Sequence, residues 1–308
     1  MMLTRRAALR TLASGAAAAL VGGPRALAQS APPRGPGPWD NDVHLVRSWP
    51  DGVQEKLAVF GRAGVPSLIR LSDRRLMAAF QWFPEQPAQA FDKIAVSFSE
   101  DDGVGWSTPT PIEIEGLPAG YRFPFDPTLL QLDDGRIRLY ATLNEGRTFQ
   151  DSTPRIGSLL SADGVHYVLE AGNRLAIPGE MVIDCAAVRH EGLVHLYSPV
   201  QGQTGFGYHA VSRDGLAFER QADVFVDGGV RWLGCAVSDG ARIRFYGTGD
   251  RGLWSAESED GVRFGAPSWF TISGADPGVV EEPDGSRLWL ITGPPRSATS
   301  LGRGSGRD

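Results

Sequence analysis

Ser99-Glu100-Asp101-Asp102-Gly103-Val104-Gly105-Trp106 spells out a tight turn. At this spacing the Ser and Asp oxygens can bond backbone N–H groups inside the turn, and a Gly takes the φ > 0 position. The aromatic residue that follows is placed to pack between sheets. Four more copies run through the chain: Ser48-Trp49-Pro50-Asp51-Gly52, Ser161-Ala162-Asp163-Gly164-Val165-His166-Tyr167, Ser212-Arg213-Asp214-Gly215-Leu216-Ala217-Phe218, and Ser258-Glu259-Asp260-Gly261-Val262-Arg263-Phe264. The aspartates Asp51, Asp101, Asp163, Asp214 and Asp260 are separated by 50, 62, 51 and 46 residues. A unit of that length punctuated by one turn predicts the blades of a propeller. All five boxes are assigned to structure and not to chemistry.

Between the boxes, and once after the last, lies a second recurring unit. Its copies begin Val65-Pro66-Ser67-Leu68, Asp126-Pro127-Thr128-Leu129, Asp184-Cys185-Ala186-Ala187, Gly234-Cys235-Ala236-Val237 and Asp276-Pro277-Gly278-Val279. Most are followed by an Asp/Gly-rich turn and then an alternating strand such as Arg136-Ile137-Arg138-Leu139-Tyr140. These are inner hairpins, read from strand and turn signals. Five hairpins and five boxes predict an all-β, five-bladed β-propeller, with a six-bladed ring as the alternative. The chain opens on a box and ends on a hairpin. The strands from about His44 to Phe60 must therefore complete the blade begun by the C-terminal hairpin, which leaves no open edge.

The ends read differently. Thr4-Arg5-Arg6-Ala7-Ala8-Leu9-Arg10, an Ala-rich run and Ala26-Leu27-Ala28 make residues 1–28 a twin-arginine signal peptide with a cleavage site. The apolar run falls short of the ~20 residues of a membrane span. Export of this kind predicts a periplasmic or extracellular protein. Residues 29–38 are a Pro/Gly-rich flexible lead-in, 39–294 the propeller domain, and 295–308 a disordered tail. Losing Arg5, Arg6, Arg10 and Arg25 would take the net charge from −6 to −10, 26 basic residues against 36 acidic. An acidic chain without a basic stripe argues against nucleic acid and against anionic membranes as partners. A monomer is expected. Cys185 and Cys235 hold the same place in successive repeats, which leaves open a disulfide or two buried small side chains. No Cys/His cluster has zinc-ligand spacing.

In a propeller the inner strands all start at one mouth of the axis, where the loops between second and third strands also gather. Aligning the repeats puts Asp126, Asp184 and Asp276 at equivalent strand starts, beside Val65 and Gly234. Carboxylates that meet there perturb one another's pKa and suit acid/base or nucleophilic work on a glycosidic bond. They could also hold Ca²⁺, or simply cap the strand starts. No cofactor is otherwise implied. The same mouth should gather Glu145 and Glu180 as further acids, with Asn144 and Arg147 beside Glu145. Arg122, Arg231, Trp82, Trp232 and His44 are expected there as substrate-binding residues, near Phe83, Glu85, Asp40 and Asp42. Aromatic faces with carboxylates and arginines around a concavity are what a carbohydrate needs.

Ser99 to Trp106 resembles the Asp box of sialidases, and Val65 to Leu71 resembles the opening blade of that family. Over about 250 residues the repeats also resemble the five-bladed glycoside-hydrolase propellers, including the arabinanase/xylosidase and fructosidase groups. The resemblance implies an enzyme acting on glycans. Neither family's site carries over whole. Sialidases place an arginine two residues before the opening Pro, where this chain has Gly64, although Tyr121-Arg122-Phe123-Pro124 repeats a similar string one blade later. The five-bladed hydrolases carry Asp, Asp and Glu on blades one to three, where this chain has Val65, Asp126 and Asp184. Two other readings follow from these departures: a non-catalytic carbohydrate- or ligand-binding propeller, and a Ca²⁺-dependent lactonase-like hydrolase.

Overall fold

The structure, a computed structural model, describes residues 37–146 and 152–293. The signal segment, the lead-in before Gly37, Arg147 and the tail lie outside the described residues. No helix among the described residues is long and apolar enough to cross a membrane.

Five sheets form five blades, each built of four antiparallel strands with one parallel rim strand added in blade 2. Blade 1 runs Ala63–Arg70, Leu76–Trp82, Lys93–Ser99 and Thr110–Pro111 from axis to rim. Blade 2 runs Phe125–Gln131, Ile137–Leu143, Arg155–Ser161 and His166–Leu169. Blade 3 runs Ala186–His190, Leu193–Pro199, Phe206–Ser212 and Glu219–Arg220. Blade 4 runs Val230–Ser238, Ile243–Gly249, Gly252–Ser258 and Ser268–Trp269. Blade 5 joins the two ends of the domain: Ala275–Glu281 and Arg287–Thr292 pair outward onto Val43–Ser48 and Gln54–Phe60. The five inner strands neighbour one another in a closed cycle, 1–2–3–4–5–1. The expected five-bladed ring, closed by its N-terminal strands, is what the chain forms.

Each interface between blades has its own apolar core. Leu76, Ala78 and Phe80 of blade 1 face Val43, Leu45 and Leu290 of blade 5, while the alternating Met77 and Ala79 face Leu129 and Leu139 of blade 2. A second strand thus buries both faces and reads as a nearly continuous apolar run, because a blade, unlike a one-sided sheet, has neighbours on each side. Burying one such side chain is worth roughly 1.5–3 kcal/mol before entropy is counted.

The turn boxes lock these interfaces. In the last four, the Ser hydroxyl bonds the Asp carboxylate at 2.8–3.0 Å, and the carboxylate accepts backbone N–H groups of the turn. Their glycines, φ between +70° and +93°, press against the preceding blade. A Cβ at Gly103 would meet Leu45, at Gly164 Met77, at Gly215 Tyr140, and at Gly261 His195. The aromatic that follows does the same: Trp106 packs on Phe60, Phe218 on Tyr140 and Phe264 on Tyr197. The first box differs. Ser48 accepts instead from the Trp289 indole at 2.8 Å, and nothing lies within 4 Å of a Cβ at Gly52. Two additions were not anticipated. Glu113–Glu115 joins the rim of blade 2 in parallel, and Val224–Phe225 pairs back onto Phe206–Ser212 in blade 3.

Candidate functional site

The residues aligned from the repeats share one backbone feature. Val65 (φ 48°), Asp126 (54°), Asp184 (61°), Gly234 (150°) and Asp276 (48°) all have positive φ at the start of an inner strand. In three blades the pairing register slips across this residue, as between Phe125 and Thr128, so Val65, Asp126 and Asp276 lie in bulges; in blade 4 the slip covers residues 231–233 and Gly234 pairs with Gly247. A bulge re-aims its side chain out of the ladder. Positive φ costs a non-glycine residue about 1–3 kcal/mol and most of all a β-branched one, so Val65 carries the strain with no polar group to show for it.

Hydroxyls on the second strands hold these strand starts. Thr142 donates to Asp126 Oδ2 at 3.0 Å and accepts from the Asp184 backbone N–H at 2.9 Å. Thr292 bonds Asp276 and accepts from the Val65 N–H at 3.0 Å. Thr248 accepts from the Asp276 N–H at 2.8 Å, and Ser198 donates to the Asp184 carbonyl at 2.7 Å. Each is the sixth residue of its strand, and the sixth residue of the blade 1 strand is Gln81, which donates to Asp92 at 2.6 Å.

The three aspartates act on one another electrostatically, as convergence at the mouth requires. Burial first, then repulsion from Asp276, raise Asp126 to about 7 against the pull of the Thr142 hydroxyl and Arg122. Burial raises Asp276 to about 6. Asp184, 8% exposed, lies well above the usual carboxylate range through burial and then repulsion from Asp126 and Asp276. Arg122 lies over the Phe125 ring at 4.5 Å and grips both oxygens of Asp92 at 2.9 and 3.1 Å. Beside Asp184 and Asp276 the axis narrows to about 10 Å³, room for roughly one water. Below it the axis widens to a cavity of about 660 Å³ between the inner strands.

The other expected residues divide. Glu145 reaches the rim beside Arg122, because the Arg122 N–H bonds the Asn144 carbonyl. It is exposed and held in the low carboxylate range by the Tyr121 hydroxyl at 2.6 Å and by Arg155, so it is poised as an ion-pair partner rather than a proton donor. Glu180 is exposed on a turn, its N–H bonded to the Ile177 carbonyl. Trp82 is half-buried against the blade 5–blade 1 core. Arg231 is exposed and pairs with Asp250 at 3.3 Å. Trp232 is a correction: it is fully buried, stacks within the blade 3–blade 4 core, and donates its indole N–H to the Gly205 carbonyl at 2.9 Å, so it offers no free face. Phe83 is likewise buried, against Phe91 and Trp39. His44 packs on Gly293, and burial lowers its pKa. Cys185 and Cys235 are not bridged; Cys235 Sγ accepts from the Val279 N–H at 3.1 Å. Among the described residues no group of three or more His, Cys, Asp or Glu side chains is placed to hold a metal ion.

Sequence reasoning missed the second-strand hydroxyls and Asp92. A polar residue recurring at the sixth place of an apolar strand was the available signal for the first. Asp92 sits in a loop at φ 60° and belongs to no repeat.

No protein-family model matches the sequence, and no characterised protein sequence matches it. Solved structures do. The chain is similar to an N-acetylgalactosamine deacetylase from F. plautii solved with blood group B trisaccharide (14% identity, TM-score 0.56, 80% of this chain and 85% of that one). It is similar to an alpha-L-arabinofuranosidase from Lactobacillus brevis (12%, 0.53, 75% and 83%) and to one from Clostridium thermocellum (12%, 0.52, 73% and 80%). At such identities the likeness is one of fold: this is a five-bladed propeller of the kind that glycoside hydrolases also use.

Proposed function

We propose that the chain is a glycan-active propeller that hydrolyses a glycosidic bond at the aspartate mouth. One observation supports the reading: Asp126, Asp184 and Asp276 each hold left-handed backbone at the start of an inner strand, and burial raises the pKa of all three. Asp126, protonated up to about pH 7, is the general acid. Its proton passes to the departing glycosidic oxygen as the bond to the anomeric carbon breaks. Asp276, ionised above about pH 6, takes a proton from the water whose oxygen bonds that carbon. Burial, with repulsion from Asp126 and Asp276, disfavours the charged form of Asp184 and so limits negative charge beside the ionised member. Arg122, fixed by Asp92, attracts Asp126 electrostatically and borders the substrate. The twin-arginine segment supports a periplasmic or extracellular site of action.

Glycan cleavage across a panel of oligosaccharides and aryl glycosides tests this, with Asp126→Asn alongside. Activity in the wild type that disappears in the variant is expected, in a narrow bell with limbs near pH 6 and 7. Full activity in Asp126→Asn overturns the assignment. Val65, where the hydrolases place an acid, favours a second reading, a propeller that binds sugar without cleaving it. Silence across the panel, with a sugar raising the melting temperature of both proteins, selects that reading.

A further inference from the structure

We infer that the cleft between blades 3 and 4 is an outer subsite for a neutral oligosaccharide whose first unit sits at the aspartate mouth; this rests on the glycan reading above. The cleft encloses about 420 Å³. Its inner walls are Ile183 and Leu233, the residues immediately before the axial Asp184 and Gly234. It therefore begins one residue from the axial Asp184 and Gly234 and runs out to Phe206 on the third strand. Buried Trp232 closes its floor. At the outer end stands Phe206, 38% exposed, with its ring 4.6 Å from that of Phe225, 49% exposed. Among the described residues these two are the only aromatics in the set of exposed large apolar side chains. An exposed, adjacent aromatic pair is a poor choice for solubility and a good one for stacking on a sugar face.

The polar groups fit the same ligand. Gln201, Gln203 and Thr204 line the cleft and supply amide and hydroxyl groups that can both donate and accept, as sugar hydroxyls require. Arg231, at the edge, is paired with Asp250, so the cleft carries no unbalanced cation to select an anionic sugar. The wall is preformed. Gln203 N–H bonds the Val200 carbonyl at 3.1 Å, Gly205 N–H the Val230 carbonyl at 2.8 Å, and Val226 N–H the Gly205 carbonyl at 3.0 Å. The Phe206–Phe225 pairing ties the aromatic platform to the blade. Little ordering is then needed on binding. The volume lies within the ~300–1,000 Å³ of small-molecule sites and takes roughly two sugar rings.

The test is titration of the protein and of Asp126→Asn, Phe206→Ala and Gln203→Ala with neutral arabino-, xylo- and manno-oligosaccharides of one to five units. Calorimetry gives affinity, and amide NMR shifts give location. Affinity should rise with length up to about three units, with shifts at Gln203 and Phe206 appearing only from the disaccharide upward. Phe206→Ala should lose roughly five- to tenfold of that gain, Gln203→Ala a smaller part, and Asp126→Asn none. Phe206 is exposed, so its variant should keep the wild-type melting temperature. Shifts confined to the surroundings of Asp126, with affinity independent of length and of Phe206, overturn the subsite and leave the proposed function standing. No binding by any glycan overturns both.

Discussion

One hydroxyl joins two blades at the mouth. Thr142 donates to Asp126 of its own blade and accepts from the Asp184 backbone of the next. Thr142→Val removes both bonds while keeping the shape. Without the donor, the charged form of Asp126 loses support, so the alkaline limb of activity should move up by on the order of one pH unit. The buried Asp184 N–H, left without an acceptor, should cost about 1–3 kcal/mol of stability. Thr142→Ser restores the hydroxyl and should bring back the pH profile; a profile unchanged in Thr142→Val removes Thr142 from the site. At this scale the sequence was legible where a residue recurs in the repeat and opaque where direction matters. The positions of Asp126, Asp184 and Asp276 at the strand starts could be read because each opens an aligned repeat. Trp232 was misjudged because alternation along its strand sends Arg231 outward and the indole into the core.

At the scale of the element, the turn box was the clearest signal in the chain, because its side chains and its glycine all serve one local geometry. What the sequence alone did not show is that the same glycines form the contact between blades. This separates two substitutions that look alike. Gly52 (φ +87°) and Gly261 (φ +70°) both occupy left-handed backbone, so alanine strains each by about 1 kcal/mol. At Gly52 the added methyl meets nothing. At Gly261 it would lie 2.5 Å from the His195 ring and 3.0 Å from the Tyr197 hydroxyl, which donates to the Gly261 carbonyl at 2.8 Å. Gly261→Ala should therefore cost about 2 kcal/mol more than Gly52→Ala in urea unfolding, by overpacking the blade 3–blade 4 interface. Equal losses would mean that the turn, and not the interface, sets the cost.

Ring closure was legible at the scale of the whole molecule, since an opening box and a closing hairpin can only be reconciled in a shared blade. The electrostatic balance of the ring was not, because it depends on which histidines and carboxyls become buried. His195 and His209, 3.1 Å apart in blade 3, are both lowered to about 4, chiefly by burial and then by a neighbouring histidine. Between pH 4 and 6.5 the unfolded chain binds these protons and the folded one does not, so stability rises with pH in that window. The aspartates work the other way. Asp126 and Asp276, raised to about 7 and 6, hold protons that the unfolded chain has released above 3.8, so their contribution is lost as pH rises through the folded values. Asp184, raised in the same direction, adds a third falling term against the two rising ones, so wild-type stability should decline gently as pH rises from about 4.5 to 6. Each variant should tilt it. Asp126→Asn removes one falling term, so its melting temperature should match the wild type near pH 4 and exceed it by several degrees at pH 7.5, on the order of 2 kcal/mol or more. His209→Phe keeps the stack on Tyr197, whose rings lie 4.9 Å apart, and removes one rising term. It should gain on the wild type as pH falls from 6.5 to 4.5. Melting curves recorded at half-unit intervals of pH read both tilts, and variants that run parallel to the wild type would show that neither group titrates on folding.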